Sequence, residues 1–198
     1  VKSSPGNEWF SDAVRDRVRL VQMVLKECRP QIDEAAKLIL GALETGHKVL
    51  ACGNGGSAAD AQHFAAELVG RYHTDRVPLP ALSLAADPSV LTALANDFGY
   101  EEVFARQVRA LGGPGDVLLV LTTSGASPNI LRAAKTAREL GLICVALTSD
   151  RQTTLSKWTD SHIRIPSDQT ALIQEMHTFV LHYWCECIDR LWRPKPRV

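Results

Sequence analysis

His63 and Glu67 stand four residues apart in the Ala-rich run Ser57-Ala-Ala-Asp-Ala-Gln-His-Phe-Ala-Ala-Glu67, so a helix over this run puts them on one face. An imidazole and a carboxylate so placed suit two kinds of chemistry: paired proton transfer, or joint ligation of one metal ion. Just upstream, Gly53-Asn-Gly-Gly-Ser57 closes the apolar run Lys48-Val-Leu-Ala-Cys52, which reads as a buried strand. Glycines at a strand-to-helix turn let backbone N–H groups approach a ligand, and the following helix N-terminus favours an anion. A second hydroxyl-rich turn, Thr122-Thr-Ser-Gly-Ala-Ser127, follows another apolar run, Asp116-Val-Leu-Leu-Val-Leu. Small hydroxyls with helix N–H groups hold a phosphate without a strong positive charge. The first turn reads neither G-x-G-x-x-G nor G-x-x-x-x-G-K-[ST], which disfavours a Rossmann or P-loop nucleotide site. Each turn alone is also what an ordinary capped strand–helix junction looks like; the pair points to a phosphate pocket.

Positioning these residues requires an alternation of strands and helices, and the chain has one. Two helical patterns fill residues 8–44, parted near Cys28-Arg-Pro30; the first carries Phe10, Val14, Val18, Leu20, Val21 and Leu25. This lead-in hairpin is expected to cap the sheet or to supply a subunit interface. Beyond the first strand and helix come a short strand at 80–86 and a helix begun by Asp87-Pro88, running to about Leu94 and broken by Asn96-Asp-Phe-Gly99. A helix at 101–111 follows. After the strand at 116–122, Pro128 opens a helix to about Leu140, and Leu142–Thr148 is the next strand. A weak helix at 153–158, a strand at 161–166 and a long helix at 170–192 complete the series. Uniformly apolar strands alternating with helices indicate a parallel sheet covered on both faces. The expectation is one α/β domain over residues 1–198: a three-layer, flavodoxin-like sandwich with a mainly parallel five-stranded sheet. In it, residues 1–45 are the leading helices, and 46–192 the core and final helix. Ligands in such sheets sit beyond the carboxyl ends of the strands, where strand order reverses.

The bulk properties exclude several classes. Lys+Arg and Asp+Glu both number 22 in 198 residues, so no net charge draws the chain to nucleic acid or an anionic membrane. Hydrophobic content of 45% is ordinary for a globular protein, and no apolar run approaches the roughly 18 residues needed to span a bilayer. Residues 1–7 lack the apolar core of a signal peptide and read as a loose tail. Five cysteines, with Cys52 and Cys144 in apparent strands, fit reduced buried thiols better than a disulfide framework. Cytoplasm is the expected compartment.

Four segments in this order and spacing, Cys52–Glu67, Asn96-Asp-Phe-Gly99, Thr123-Ser-Gly125 and Ile173-Gln-Glu-Met-His177, resemble the sugar isomerase (SIS) domain. Within that superfamily the chain resembles the phosphoheptose isomerases from about residue 10 to residue 192. These convert sedoheptulose 7-phosphate to D-glycero-D-manno-heptose 7-phosphate, an aldose–ketose isomerisation through an enediol. The resemblance implies one Zn2+ per subunit on His63, Glu67, Gln174 and His182, with Glu67 and His182 as the acid–base pair. It assigns sugar contacts to Asn54, Gly55, Gly56, Ser57, Glu67, Asn96, Asp97 and Gln174. Phosphate contacts fall to Thr122, Thr123, Ser124 and Ser127. It also implies a homotetramer in a pathway to lipopolysaccharide or another surface glycan. Eight residues of α-helix span about 12 Å, so Gln174 and His182 on one rigid helix cannot both reach one ion. Either Gln174 precedes the regular helix or the two serve different subunits' sites, and an interfacial pocket is expected.

Two stretches depart from the family pattern. Ala126 stands where an Asn is usual, and Ser149-Asp-Arg-Gln-Thr-Thr154 replaces a Gly-Gly stretch; both bear on the sugar more than on the phosphate. Arg71 is either a phosphate contact or a surface residue. A rival reading keeps the fold and drops the catalysis, since a related SIS protein binds the bacterial replication initiator. Leu91–Asp97 and Gln107–Gly112 resemble that regulator too, but it lacks the carboxylate at Glu67. An isomerase of another sugar phosphate is the third reading, and the metal set argues against it.

Overall fold

The computed structural model describes residues 7–192, so the tail read at 1–7 lies, apart from Asn7, outside the described residues. Helices α1 (Asn7–Glu27) and α2 (Arg29–Glu44) part at Cys28, with Pro30 in the first turn of α2 where its missing N–H costs nothing. Then come β1 (Val49–Gly53), α3 (Gly56–Val69), β2 (Ala81–Ser83), α4 (Pro88–Phe98) and α5 (Val103–Leu111). The series closes with β3 (Val117–Leu121), α6 (Pro128–Glu139), β4 (Ile143–Ser149), β5 (Ser161–Ile165) and α7 (Thr170–Leu191).

All four strand pairings are parallel, in the order β2-β1-β3-β4-β5, so the sheet is entirely rather than mainly parallel. Every residue of β3 is fully buried, and its period of two splits the core. Val117, Leu119 and Leu121 pack with Ile39 of α2, Phe64 of α3, and Val180 and Trp184 of α7. Leu118 and Val120 face Phe104 and Val108 of α5 and Ile130 and Ala134 of α6. That is the expected three-layer sandwich.

The boundaries differ in ways that local chemistry explains. Asp87 caps α4, its carboxylate accepting the N–H groups of Ser89 and Val90. The helix runs on through Asn96 and Asp97 and stops only at Gly99, four residues past the expected end. The segment at 101–111 begins as a 3-10 turn over Tyr100–Glu102, and that at 153–158 is wholly 3-10 over Thr154–Trp158. β2 pairs over three residues, not seven.

The two helices of the hairpin are buried to different extents. Helix α2 caps the sheet, whereas α1 buries only Leu20 and Val24 and leaves Phe10, Val14, Val18, Val21 and Leu25 exposed as one apolar stripe. The cysteines are all unpaired, with Cys28, Cys52, Cys144 and Cys185 buried. Among the described residues no helix is long and apolar enough to cross a membrane.

Candidate active site

Strand order reverses between β1 and β3, and the two hydroxyl-rich turns leave the carboxyl ends of these adjacent strands. This is the switch point at which open parallel sheets bind ligands. Gly55 caps α3 at φ 57°, ψ −122°, a conformation that a side chain would strain. At Gly56 a Cβ would stand 2.5 Å from Nε2 of Gln174, so the bare backbone lets α7 lay that amide over the start of α3.

The second turn is braced by its own hydroxyls. Thr122 Oγ1 accepts the N–H of Gly125 at 3.2 Å, and Ser124 Oγ that of Ala126 at 3.3 Å. Asn54 and Asn129 exchange side-chain hydrogen bonds of 3.0 and 2.9 Å between the two turns, and the Tyr100 hydroxyl donates to Asn54 Oδ1 at 3.1 Å. Asn54, Tyr100, Ser127, Asn129 and Arg132 line a cleft of about 510 Å3 there.

Helices α3 and α7 run side by side and meet in three steps. Gln174 covers Gly56, the Thr178 hydroxyl donates to Asp60 Oδ1 at 2.8 Å, and His182 meets His63. Burial pushes the Asp60 carboxyl above its ordinary range, against the Thr178 hydrogen bond and the two imidazoles, which lower it. At the last step His63 Nε2 lies 3.1 Å from Glu67 Oε1 and 3.4 Å from His182 Nε2, and Tyr72 stacks on the His182 ring. The same end is clamped by Arg76 and Asp189, both buried. Arg76 donates to the carbonyls of Glu67 (2.7 Å) and Leu68 (2.9 Å), satisfying the orphan end of α3, and its Nε faces Asp189 Oδ1 at 3.2 Å.

Donors around a tetrahedral zinc with bonds of about 2.0–2.1 Å stand roughly 3.4 Å apart, close to both separations about His63. Two imidazoles and a carboxylate are also a chemically apt zinc set. The approach is pairwise, however: among the described residues no three His, Cys, Asp or Glu side chains are gathered into a finished metal cage. Gln174 lies within α7, which removes the alternative that it precedes the regular helix. It sits two turns from His182, against the glycine turn rather than beside His63.

The structure thus brings together His63, Glu67 and His182 as one group. Asn54, Gly55, Gly56, Ser57 and Gln174 form a second, and Thr122, Thr123, Ser124 and Ser127 lie on the adjoining turn. Asn96 and Asp97 are exposed on the last turn of α4, hydrogen-bonded to each other at 2.8 Å. Tyr100, just beyond them, is the residue of that segment that reaches Asn54. Sequence reasoning missed Tyr100, Asn129 and Arg76. Asn129 had a usable signal, a polar residue directly after Pro128 at a helix start; the other two had none.

Comparison with known proteins is consistent with this geometry. A model of the SIS domain matches residues 12–149. The chain is 45% identical over 183 residues to a phosphoheptose isomerase of Alteromonas mediterranea, covering 91% of this chain and 90% of that one. Two solved structures superpose over 92% of the chain. A phosphoheptose isomerase from Francisella tularensis is 39% identical, with a TM-score of 0.88 and 97% of its chain covered. One from Neisseria gonorrhoeae is 41% identical, with a TM-score of 0.87 and 98% covered.

Proposed function

The chain belongs to the SIS domain family and, within it, to the phosphoheptose isomerases, and on that premise we propose that it converts sedoheptulose 7-phosphate to D-glycero-D-manno-heptose 7-phosphate. The observation that carries this reading is the meeting of Glu67 and His182, from two different helices, about His63, roughly two helical turns along α3 from the glycine turn. Aldose–ketose isomerisation needs a base at the carbon beside the carbonyl, an acid that returns a proton to its neighbour, and donors for the enediolate oxygens. Glu67 is the base and His182 its partner. The hydrogen bond to His63 engages only Oε1 of Glu67, leaving Oε2 for the proton. The turns at 53–57 and 122–127 take the phosphate and the sugar oxygens, Ser57 and Thr122 being buried at their floors.

His63, Glu67 and His182 would hold a zinc ion, one per subunit, which when bound polarises the sugar oxygens. Gln174 serves the sugar rather than the His63 group of its own subunit. We assign completion of the pocket to a homotetramer. The apolar stripe on α1 continues into a groove of about 360 Å3 lined by Val21, Leu25, Phe179 and Tyr183, a surface suited to a second copy. Incubation of the purified protein with sedoheptulose 7-phosphate, followed by NMR, tests the reading: an aldoheptose 7-phosphate supports it, and an unchanged substrate defeats it.

A further inference from the structure

Asn129 lies on the second residue of α6, is 2% exposed, and makes contacts that fix which way its amide points. Its Oδ1 faces the backbone N–H of Ile130 at 3.0 Å, a bond that N–H shares with the carbonyl of Ser127 at 3.1 Å. A backbone N–H only donates, so the Asn129 atom there is the oxygen. The Asn54 atom 3.0 Å from that oxygen is then Nδ2, and Asn129 Nδ2 in turn donates to Asn54 Oδ1 at 2.9 Å. The Tyr100 hydroxyl donates to the same Oδ1 at 3.1 Å. An amide oxygen has two acceptor sites and an amide nitrogen two hydrogens. Both acceptor sites of Asn54 and one of its hydrogens are therefore taken inside the protein.

We propose that Asn129 is a positioning residue that presents Asn54 to the ligand as a fixed donor of one N–H, so that Asn54 meets an acceptor oxygen of the sugar phosphate. The inference rests on the reading of Asn54 as a substrate contact. It adds the polarity of that contact and the residue that sets it. Asn129 also spans the carboxyl ends of β1 and β3, so the same pair of bonds fixes the spacing of the two turns that flank the ligand.

The test is a cycle of Asn54→Ala, Asn129→Ala and the double variant in the full oligomer, read as kcat/KM and kcat for sedoheptulose 7-phosphate. A crystal structure of Asn129→Ala accompanies it. Loss of the brace misplaces Asn54 and is expected to lower kcat/KM roughly 10- to 100-fold. The double variant should be no worse than Asn54→Ala alone, because both changes remove one contact. Multiplying effects would overturn the proposal and make Asn129 a residue of the fold only. If Asn129→Ala does not fold, the isosteric Asn129→Asp replaces it: it keeps the Ile130 bond but sets an oxygen against Asn54 Oδ1, and the same non-additive loss is expected. The unmutated chain separates the two readings. Its failure to turn the substrate over defeats the proposed function, while the crystal structure judges the inference alone. An Asn54 amide turned from its present direction supports the inference, and an unmoved one refutes it.

Discussion

Replacing Asp189 by Ala should destabilise the protein by about 4 kcal/mol, and the structure shows where that figure comes from. Asp189 Oδ2 accepts the backbone N–H groups of His73 and Thr74 at 2.8 and 2.7 Å, while Oδ1 faces the wholly buried Arg76. Without the carboxylate, Arg76 keeps its three carbonyl partners but loses its counter-charge. Removing one partner of a buried pair costs about 3–5 kcal/mol, because the remaining charge stays desolvated. His73 is exposed and Thr74 half-buried, so water can reach the freed N–H groups in part and nothing is added for them. Urea denaturation at a fixed protein concentration reads the loss as a shift in midpoint with unchanged slope. The pair Arg76→Met with Asp189→Leu should recover most of it, since an apolar replacement of similar volume removes both desolvation costs. The pH dependence has a definite sign. Burial pushes the Asp189 carboxyl up, but the hydrogen bonds from Thr74, His73 and Arg76 outweigh it and hold the group below its ordinary value. The stabilisation is thus full at neutral pH and lost as pH falls through the depressed value, and Asp189→Ala has none of it to lose. A cost below about 1 kcal/mol in Asp189→Ala would refute the argument.

Three further outcomes follow from the same geometry. Glu67→Gln and His182→Gln should each lower kcat by about 10²- to 10⁴-fold with unfolding midpoints little changed, measured by NMR turnover and urea titration. Burial pushes the His177 imidazole down to about 4, so it is neutral in the folded chain, whereas the unfolded chain takes up a proton below about pH 6.5. Stability should fall from pH 6.5 toward pH 4 by up to roughly 3 kcal/mol, at 1.36 kcal/mol per unit, and His177→Asn should flatten that slope in urea titrations at pH 7, 6 and 5. Val18→Asp with Leu25→Asp should convert the assembly to a smaller species in sedimentation velocity, each Asp replacing an apolar side chain whose burial contributes about 1.5–3 kcal/mol.

The sandwich was legible because its signals are local and redundant. The runs at 48–52, 117–121 and 143–148 admit no amphipathic helix, and glycine or hydroxyl turns end two of them. The site was half legible for the same reason: His63 and Glu67 are helix neighbours, so one short run reveals their shared face. His182 and Gln174 carried no such local mark and entered only through resemblance to a family. Their partners, His63 and Gly56, are more than a hundred residues away in sequence. Asn129, Tyr100 and Arg76 act through contacts across the sheet ends or between helices, which no periodicity records. Arg76 in particular looks in sequence like any loop arginine, and only the burial of its guanidinium against Asp189 shows otherwise. The α1 stripe was visible as apolar periodicity, but whether it faces the core or another subunit is a tertiary fact.

The most direct test of the account is the isomerisation run in D2O, with product analysed by NMR before and after removal and return of zinc. With Glu67 and His182 exchanging protons at neighbouring carbons, the zinc-loaded protein should form an aldoheptose 7-phosphate carrying deuterium at C2, and chelation should abolish it. A folded, zinc-loaded oligomer that forms no aldoheptose, or one whose product carries no solvent deuterium, would contradict it.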